Sequence, residues 1–207
     1  MTTGLFGGAF DPPHNGHVAL AETALAHFAL ERLVVLVTGD PPHKRAETDK
    51  WVRLELAEAA LGSIPGVELD RYELERDGPS YTVDTVRWAA QRWPDPLFLV
   101  GADEFSELLS WRDPSGVLEA ARLAVATRPG YPRARLDSVL AELERPDRVE
   151  FFEIPALPVS SRELRDRVAH GEPIDAFVPR SVAVLIESRG LYRCYAEASD
   201  EEGRSTR

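Results

Sequence analysis

The densest chemistry in the sequence is a glycine pair followed by two histidines three residues apart: Gly7-Gly8-Ala9-Phe10-Asp11-Pro12-Pro13-His14-Asn15-Gly16-His17. Glycines at the end of a strand leave main-chain amides uncovered by side chains, so an oxygen anion can approach them. The stretch that follows predicts a helix beginning near Asn15. His14 and His17 then stand at its start, where the positive end of the helix dipole favours an anion that both imidazoles can face. Histidines at this spacing also bind metals, but a tetrahedral site needs further ligands and Asp11 alone does not supply them. No metal site on the protein is expected. Neither the dinucleotide pattern G-x-G-x-x-G nor the phosphate loop G-x-x-x-x-G-K-[ST] is present.

A second element of the same kind is Ser160-Ser161-Arg162-Glu163-Leu164-Arg165. Ser160 with Glu163 three residues on is a capping-box pattern, and Leu164 with Val168 gives the helix a buried side. Alone, a capped helix carrying arginines is more often a solvated surface helix. Paired with the first motif, it suggests two helix starts clamping one polyphosphate, with Arg165 as a bidentate partner. Lys44, in the Pro41-Pro42-His43-Lys44 loop after the second strand, is a mobile point charge suited to phosphate.

These side chains need a scaffold, and the sequence predicts one. Apolar runs at Gly4 to Phe6, Leu33 to Val37, Leu97 to Val100, Leu123 to Ala126 and Val149 to Ile154 read as strands, most of them buried on both faces. Amphipathic stretches lie between them at Val18 to Leu30, Lys50 to Leu61, Thr82 to Trp93 and Leu136 to Leu143. A last helix starts at Pro179 and ends at Gly190, with Val182, Leu185 and Ile186 on one face. Alternation of strand and helix predicts an α/β fold with a mainly parallel sheet. Residues 1–195 read as one domain, and residues 196–207 as a polar, frayed tail.

Of 207 residues, 24 are basic and 35 acidic, a formal charge of −11. That balance speaks against nonspecific binding of nucleic acid or an anionic membrane, so any anion must be held locally. The single cysteine, Cys194, excludes an internal disulfide framework and a thiolate zinc cluster and fits a reducing compartment, the cytoplasm. No signal peptide or membrane span is evident.

The segment Phe6 to His17 closely resembles the G-G-[ST]-F-D-P-x-H-x-G-H signature of the nucleotidyltransferases related to class I aminoacyl-tRNA synthetases. Within them it is most similar to the bacterial nicotinate-nucleotide adenylyltransferases. The resemblance continues through Pro41 to Lys44, Arg76 to Thr85, Gly101-Ala102-Asp103, Trp111, Arg128-Pro129-Gly130-Tyr131 and Ser160 to Arg165. It implies a Rossmann-like, doubly wound sheet with helices on both faces. The implied activity is transfer of the adenylyl group of ATP to nicotinate mononucleotide, giving nicotinate adenine dinucleotide and pyrophosphate in NAD biosynthesis. By the same resemblance His14, His17, Lys44 and Arg165 are catalytic. ATP is assigned to Gly7, Gly8, Ala9, Phe10, His14, His17, Gly101, Asp103, Arg128, Ser160, Ser161, Arg162 and Arg165. Nicotinate mononucleotide is assigned to Gly8, Ala9, Lys44, Ser80, Tyr81, Thr82, Asp103 and Trp111. Magnesium would arrive mainly on ATP, with no tightly bound organic cofactor, and a homo-oligomer is compatible.

Read without the family, Thr82 is a candidate helix cap and Trp111 a candidate core residue. Two positions depart from the family pattern: Ala9 stands where Thr or Ser is usual, and Arg162 replaces the usual Thr. Each loses a hydroxyl near phosphate, and Arg162 adds a charge that would compensate in part. The alternatives are adenylyl transfer to nicotinamide mononucleotide or pantetheine phosphate, and a nucleotide-binding module without turnover.

Overall fold

A computed structural model describes residues 2–41 and 46–193. Its strands are β1 (Thr3–Gly8), β2 (Arg32–Val37), β3 (Val67–Asp70), β4 (Leu97–Gly101), β5 (Arg122–Thr127) and β6 (Val149–Glu153). The helices are α1 (Asn15–His27), α2 (Lys50–Leu61), α3 (Thr82–Ala90), α4 (Ala102–Ser106), α5 (Pro114–Ala120), α6 (Arg133–Glu142), α7 (Ser161–Ala169) and α8 (Arg180–Arg189). Every strand pairing is parallel, and the sheet order is β3-β2-β1-β4-β5-β6.

Successive side chains of a strand point to opposite faces, so a strand covered on both faces must be apolar throughout. The β2 run Leu33-Val34-Val35-Leu36-Val37 illustrates this. Leu33, Val35 and Val37 enter one core with α1, α2, α7 and α8, and Val34 and Leu36 enter the other with α3, α4, α5 and α6. In β1, Phe6 belongs to the first core and Leu5 to the second.

The chain winds outward from β1 to β3, returns to place β4 beside β1, then winds the other way to β6. The winding direction therefore reverses between β1 and β4. A crevice at the carboxyl ends of strands on either side of such a reversal is where open α/β sheets take ligands. The glycine pair ends β1 and Gly101 ends β4, so the chemistry-bearing loops open at this point.

The doubly wound fold agrees with the sequence expectation, and α2 has the expected bounds. Strand β3 is not visible in the sequence pattern: Val-Glu-Leu-Asp is short, sits at the sheet edge and is half-exposed. Helices α4 and α5 also escape it, being only 5 and 7 residues long. Gly190 ends α8 in the left-handed conformation, φ +62°, where a side chain would be strained. Among the described residues no helix is long and apolar enough to cross a membrane. Lys44, Cys194 and residues 196–207 lie outside the described residues.

Candidate active site

In the turn after β1, aromatic rings leave little room for side chains on the glycine pair. A Cβ on Gly7 would come within 3.2 Å of the Phe98 ring, and one on Gly8 within 3.0 Å of the Phe10 ring. Phe10 adopts a left-handed backbone, φ +51°, which costs a bulky residue about 1–3 kcal/mol. Its ring is buried, edge-on to Phe6 at 5.3 Å and tilted against His17 at 5.2 Å, and this burial offsets the strain. The reversal leaves Ala9 exposed and makes Phe10 the floor under His17.

The two imidazoles lie 3.9 Å apart between centroids, tilted by 36°. Each caps the start of α1. His14 Nδ1 accepts from the Gly16 N–H at 3.1 Å, and His17 Nδ1 accepts from the His14 N–H at 3.1 Å. A neutral imidazole that accepts at Nδ1 carries its proton at Nε2, so each ring has one N–H left to offer. Burial and the Arg128 cation lower the His14 pKa from 6.5 to about 4. Burial and His14 hold His17 well below its ordinary value. Both rings are neutral Nε2–H donors at pH 7.

The start of α1 has no main-chain donor left for a ligand at its first three positions. The Asn15 N–H goes to Phe177 O at 2.9 Å, that of Gly16 to His14 Nδ1, and that of His17 to His14 O at 2.8 Å. The sequence suggests an anion near this helix start; the donors left uncommitted there are those of the imidazoles, not of the main chain.

Helix α7 is built differently. Ser160 Oγ accepts from the Glu163 N–H at 3.2 Å and donates to the Glu163 carboxylate at 2.8 Å. The Leu164 N–H goes to Ser160 O. The N–H groups of Ser161 and Arg162, ahead of the helix's own ladder, have no partner among the described residues. Side chains of α7 also grip the β1–α1 loop across about 150 residues of sequence. Ser161 Oγ donates to Pro12 O at 2.8 Å, and Arg165 Nη1 donates to Asp11 O at 2.7 Å. Arg128, just past β5, and Glu163, in the first turn of α7, both act electrostatically on His14, so both lie near it. The two separated motifs do meet.

Gly101 is the cap position of α4, with Asp103 in its first turn. Tyr131, the last residue of the Arg-Pro-Gly-Tyr block, donates from its hydroxyl to Asp103 Oδ1 at 3.0 Å and so orients that carboxylate.

Ser80, Tyr81, Thr82 and Trp111 gather on the opposite side of the crevice. Ser80 Oγ accepts from the Gly39 and Asp40 N–H groups at 3.2 and 3.3 Å, and its own N–H donates to Asp40 O at 2.8 Å. Gly39 has no room for a side chain, since a Cβ there would sit 2.2 Å from Glu73 O. Thr82 is not the cap: it is the first residue of α3, and Tyr81 takes the cap position without a side-chain hydrogen bond. Trp111 is half-buried against the second core, with its neighbours docked on α3. Arg112 lies over the Tyr81 ring at 4.5 Å, and Asp113 pairs with Arg87 at 2.8 Å.

Beneath the site lies a polar layer that the sequence does not reveal. Asp11 is buried and accepts from Tyr192 Oη at 2.7 Å, the Glu47 N–H at 2.7 Å and the Thr48 N–H at 3.3 Å. Arg53 is also buried. Glu73 accepts from Thr85 Oγ1 at 2.7 Å, and burial raises its pKa. With three protein donors on its carboxylate, Asp11 acts as a brace. Among the described residues no three His, Cys, Asp or Glu side chains converge as a metal set.

Fold and site define a class: residues 5–167 match the cytidylyltransferase-like family. A Rubrobacter xylanophilus protein named a probable nicotinate-nucleotide adenylyltransferase is 40% identical over 207 residues, covering 98% of this chain and 97% of its own. One of the same name from Gemmatimonas aurantiaca is 39% identical, with complete coverage of both chains. The chain belongs to the nicotinate-nucleotide adenylyltransferase family. A solved Plasmodium falciparum nicotinic acid mononucleotide adenylyltransferase, complexed with NaAD, shares the fold, with a TM-score of 0.74. It is 18% identical, and the match covers 93% of this chain and 97% of that one.

Proposed function

We propose that the chain adenylylates nicotinate mononucleotide with ATP, and that the imidazole pair and the α7 start divide the triphosphate between them. An acceptor phosphate oxygen attacks the α-phosphorus in line. The bond from that phosphorus to the bridging oxygen breaks, and pyrophosphate leaves with its electron pair. The acceptor is already an anion, so no general base and no covalent enzyme intermediate is needed. Positioning and stabilisation of negative charge then supply the catalysis.

The observation that carries this reading is the pair of fixed tautomers. Two neutral Nε2–H donors, locked by main-chain N–H groups, face developing charge on the α-phosphate without reorganising. Arg165, the Ser161 and Arg162 amides, and Arg128 suit the leaving pyrophosphate. Lys44 is assigned the reacting phosphates. Magnesium carried by ATP would neutralise part of the triphosphate charge. Gly101 and Asp103 suit ribose and adenine at the end of β4.

Acceptor choice follows from α3. Tyr81 supplies no side-chain cap, so the first amides of that helix are available to an anion. A nicotinate carboxylate uses them better than a neutral carboxamide. Trp111 and Tyr81 provide aromatic surface for the pyridine ring. The reducing compartment suited to the chain is the cytoplasm.

The test is pyrophosphate release with ATP and magnesium on a panel of acceptors, with the dinucleotide product identified. Nicotinate mononucleotide should be consumed fastest. Equal rates with nicotinamide mononucleotide would remove the carboxylate argument, and release with pantetheine phosphate alone would replace the acceptor.

A further inference from the structure

Arg53 is 1% exposed, in the first turn of α2 and on its buried face with Leu56, Ala57 and Ala60. Its guanidinium donates to three carbonyls of two loops: Nη1 to Ala9 O at 2.8 Å in the β1–α1 loop, and Nη2 to Gly39 O at 3.2 Å and Nε to Thr48 O at 3.0 Å in the β2–α2 loop. The carboxylates of Asp11, Asp49 and Glu73 surround it and offset its charge.

Two of those carbonyls belong to opposite walls of the crevice. Ala9 lies in the loop that ends in the imidazole pair. Gly39 passes the constraint onward, because its N–H is held by Ser80 Oγ while Ser80 N–H holds Asp40 O. Gly39 lies close against Glu73 O, which leaves no room for a side chain there. A continuous path of hydrogen bonds therefore runs from Ala9 through one guanidinium and Gly39 to Ser80, beside Tyr81 and Thr82.

We propose that Arg53 is a positioning residue, setting the distance between the ATP loop and the acceptor segment by spanning the Ala9 and Gly39 carbonyls with one rigid fork. The role rests on the adenylyl-transfer reading above. Lysine cannot substitute for it, because three N–H groups on one nitrogen do not reach carbonyls spread around a plane. In-line attack depends steeply on the separation of the reacting atoms, so relaxing this fork acts on turnover more than on the affinity of either substrate.

Arg53→Lys should lower kcat for pyrophosphate release about 10²-fold, while the Kd for ATP alone changes by less than about threefold. Tyr192→Phe removes a donor from Asp11 but none from the three carbonyls. It should lower Tm and keep kcat within about twofold of wild type. Hydrogen exchange without substrate gives a second readout: peptides covering 8–12 and 38–40 should lose protection together in Arg53→Lys and retain it in Tyr192→Phe. If the wild type releases no pyrophosphate, the adenylyl-transfer reading fails, and the exchange pattern still judges Arg53.

Folded Arg53→Lys with kcat within about threefold of wild type, or with both loops as protected as before, overturns the proposal. If Arg53→Lys does not fold, Arg53→Gln, which reaches fewer of the carbonyls, is measured the same way. Failure of both to fold would make Arg53 a fold residue only and would also overturn it.

Discussion

The two helix starts that meet at the crevice solve the same problem in opposite ways. At α1 the first three amides are spent on protein, and two imidazoles that consume donors on one ring nitrogen return donors on the other. At α7 a serine and glutamate close only the third amide, so two main-chain N–H groups remain, with Arg165 reaching back across the loop. The first arrangement gives a neutral, rigid contact, suited to a phosphorus centre whose charge grows during reaction. The second gives a positive, adaptable contact, suited to a group that must be bound and then released.

Removing a donor from α1 should do the most damage. His17→Ala is expected to lower kcat about 10²–10³-fold, measured by pyrophosphate release, with the protein still folded. The same change deletes the acceptor of the His14 N–H and should cost about 1 kcal/mol in a denaturant melt. Near-normal turnover would make α1 a structural helix only.

Ser160→Ala should separate the two ends further. Losing this cap is expected to cost about 0.5–2 kcal/mol of stability and to weaken ATP binding more than it slows the saturated enzyme. A fall confined to kcat would mean that α7 acts on the reacting phosphorus as α1 does.

Acidity should affect α1 alone. An unfolded histidine takes up a proton near pH 6.5, whereas folded His14 does so only near pH 4, and burial with the neighbouring His14 holds folded His17 well below its ordinary value. The unfolded chain therefore binds more protons between these values, and stability falls as pH drops through this window. Protonation also turns each Nδ1 into a donor facing a donor. The Tm of the wild type should decline from pH 6.5 toward 4, and His14→Ala should flatten that decline. A wild-type Tm independent of pH there would contradict the neutral pair.

The smallest effect concerns Arg162. If its charge compensates for the hydroxyl missing at this position, Arg162→Thr should weaken ATP binding by a few-fold. An unchanged or tighter Kd would show that the cation contributes nothing.

Much of this was legible in the sequence because the signals are local. Apolar runs mark the strands, Ser160 and Glu163 mark a helix start, and the motif from Gly7 to His17 marks the first loop. Contacts made at long range leave no such trace. Helical spacing puts Arg53 on the apolar face of α2, but its partners come from two loops that no local pattern names, and the Tyr192 to Asp11 bond joins residues 181 apart. Thr82 reads as a cap although the helix begins one residue earlier than that role requires. Asp113, by contrast, caps α5 ahead of Pro114, a local pattern that could have exposed that helix.

The sheet separates two hydrophobic interiors, and each wall of the crevice stands on a different one. Phe10 and the helices carrying the imidazoles and Arg165 rest on the first; Tyr81, Trp111 and Tyr131 rest on the second. Repacking beneath one wall therefore reaches the other through the Arg53 fork, and not through a shared interior. Preference for the acceptor base can drift in such a molecule while its grip on phosphate stays as it was.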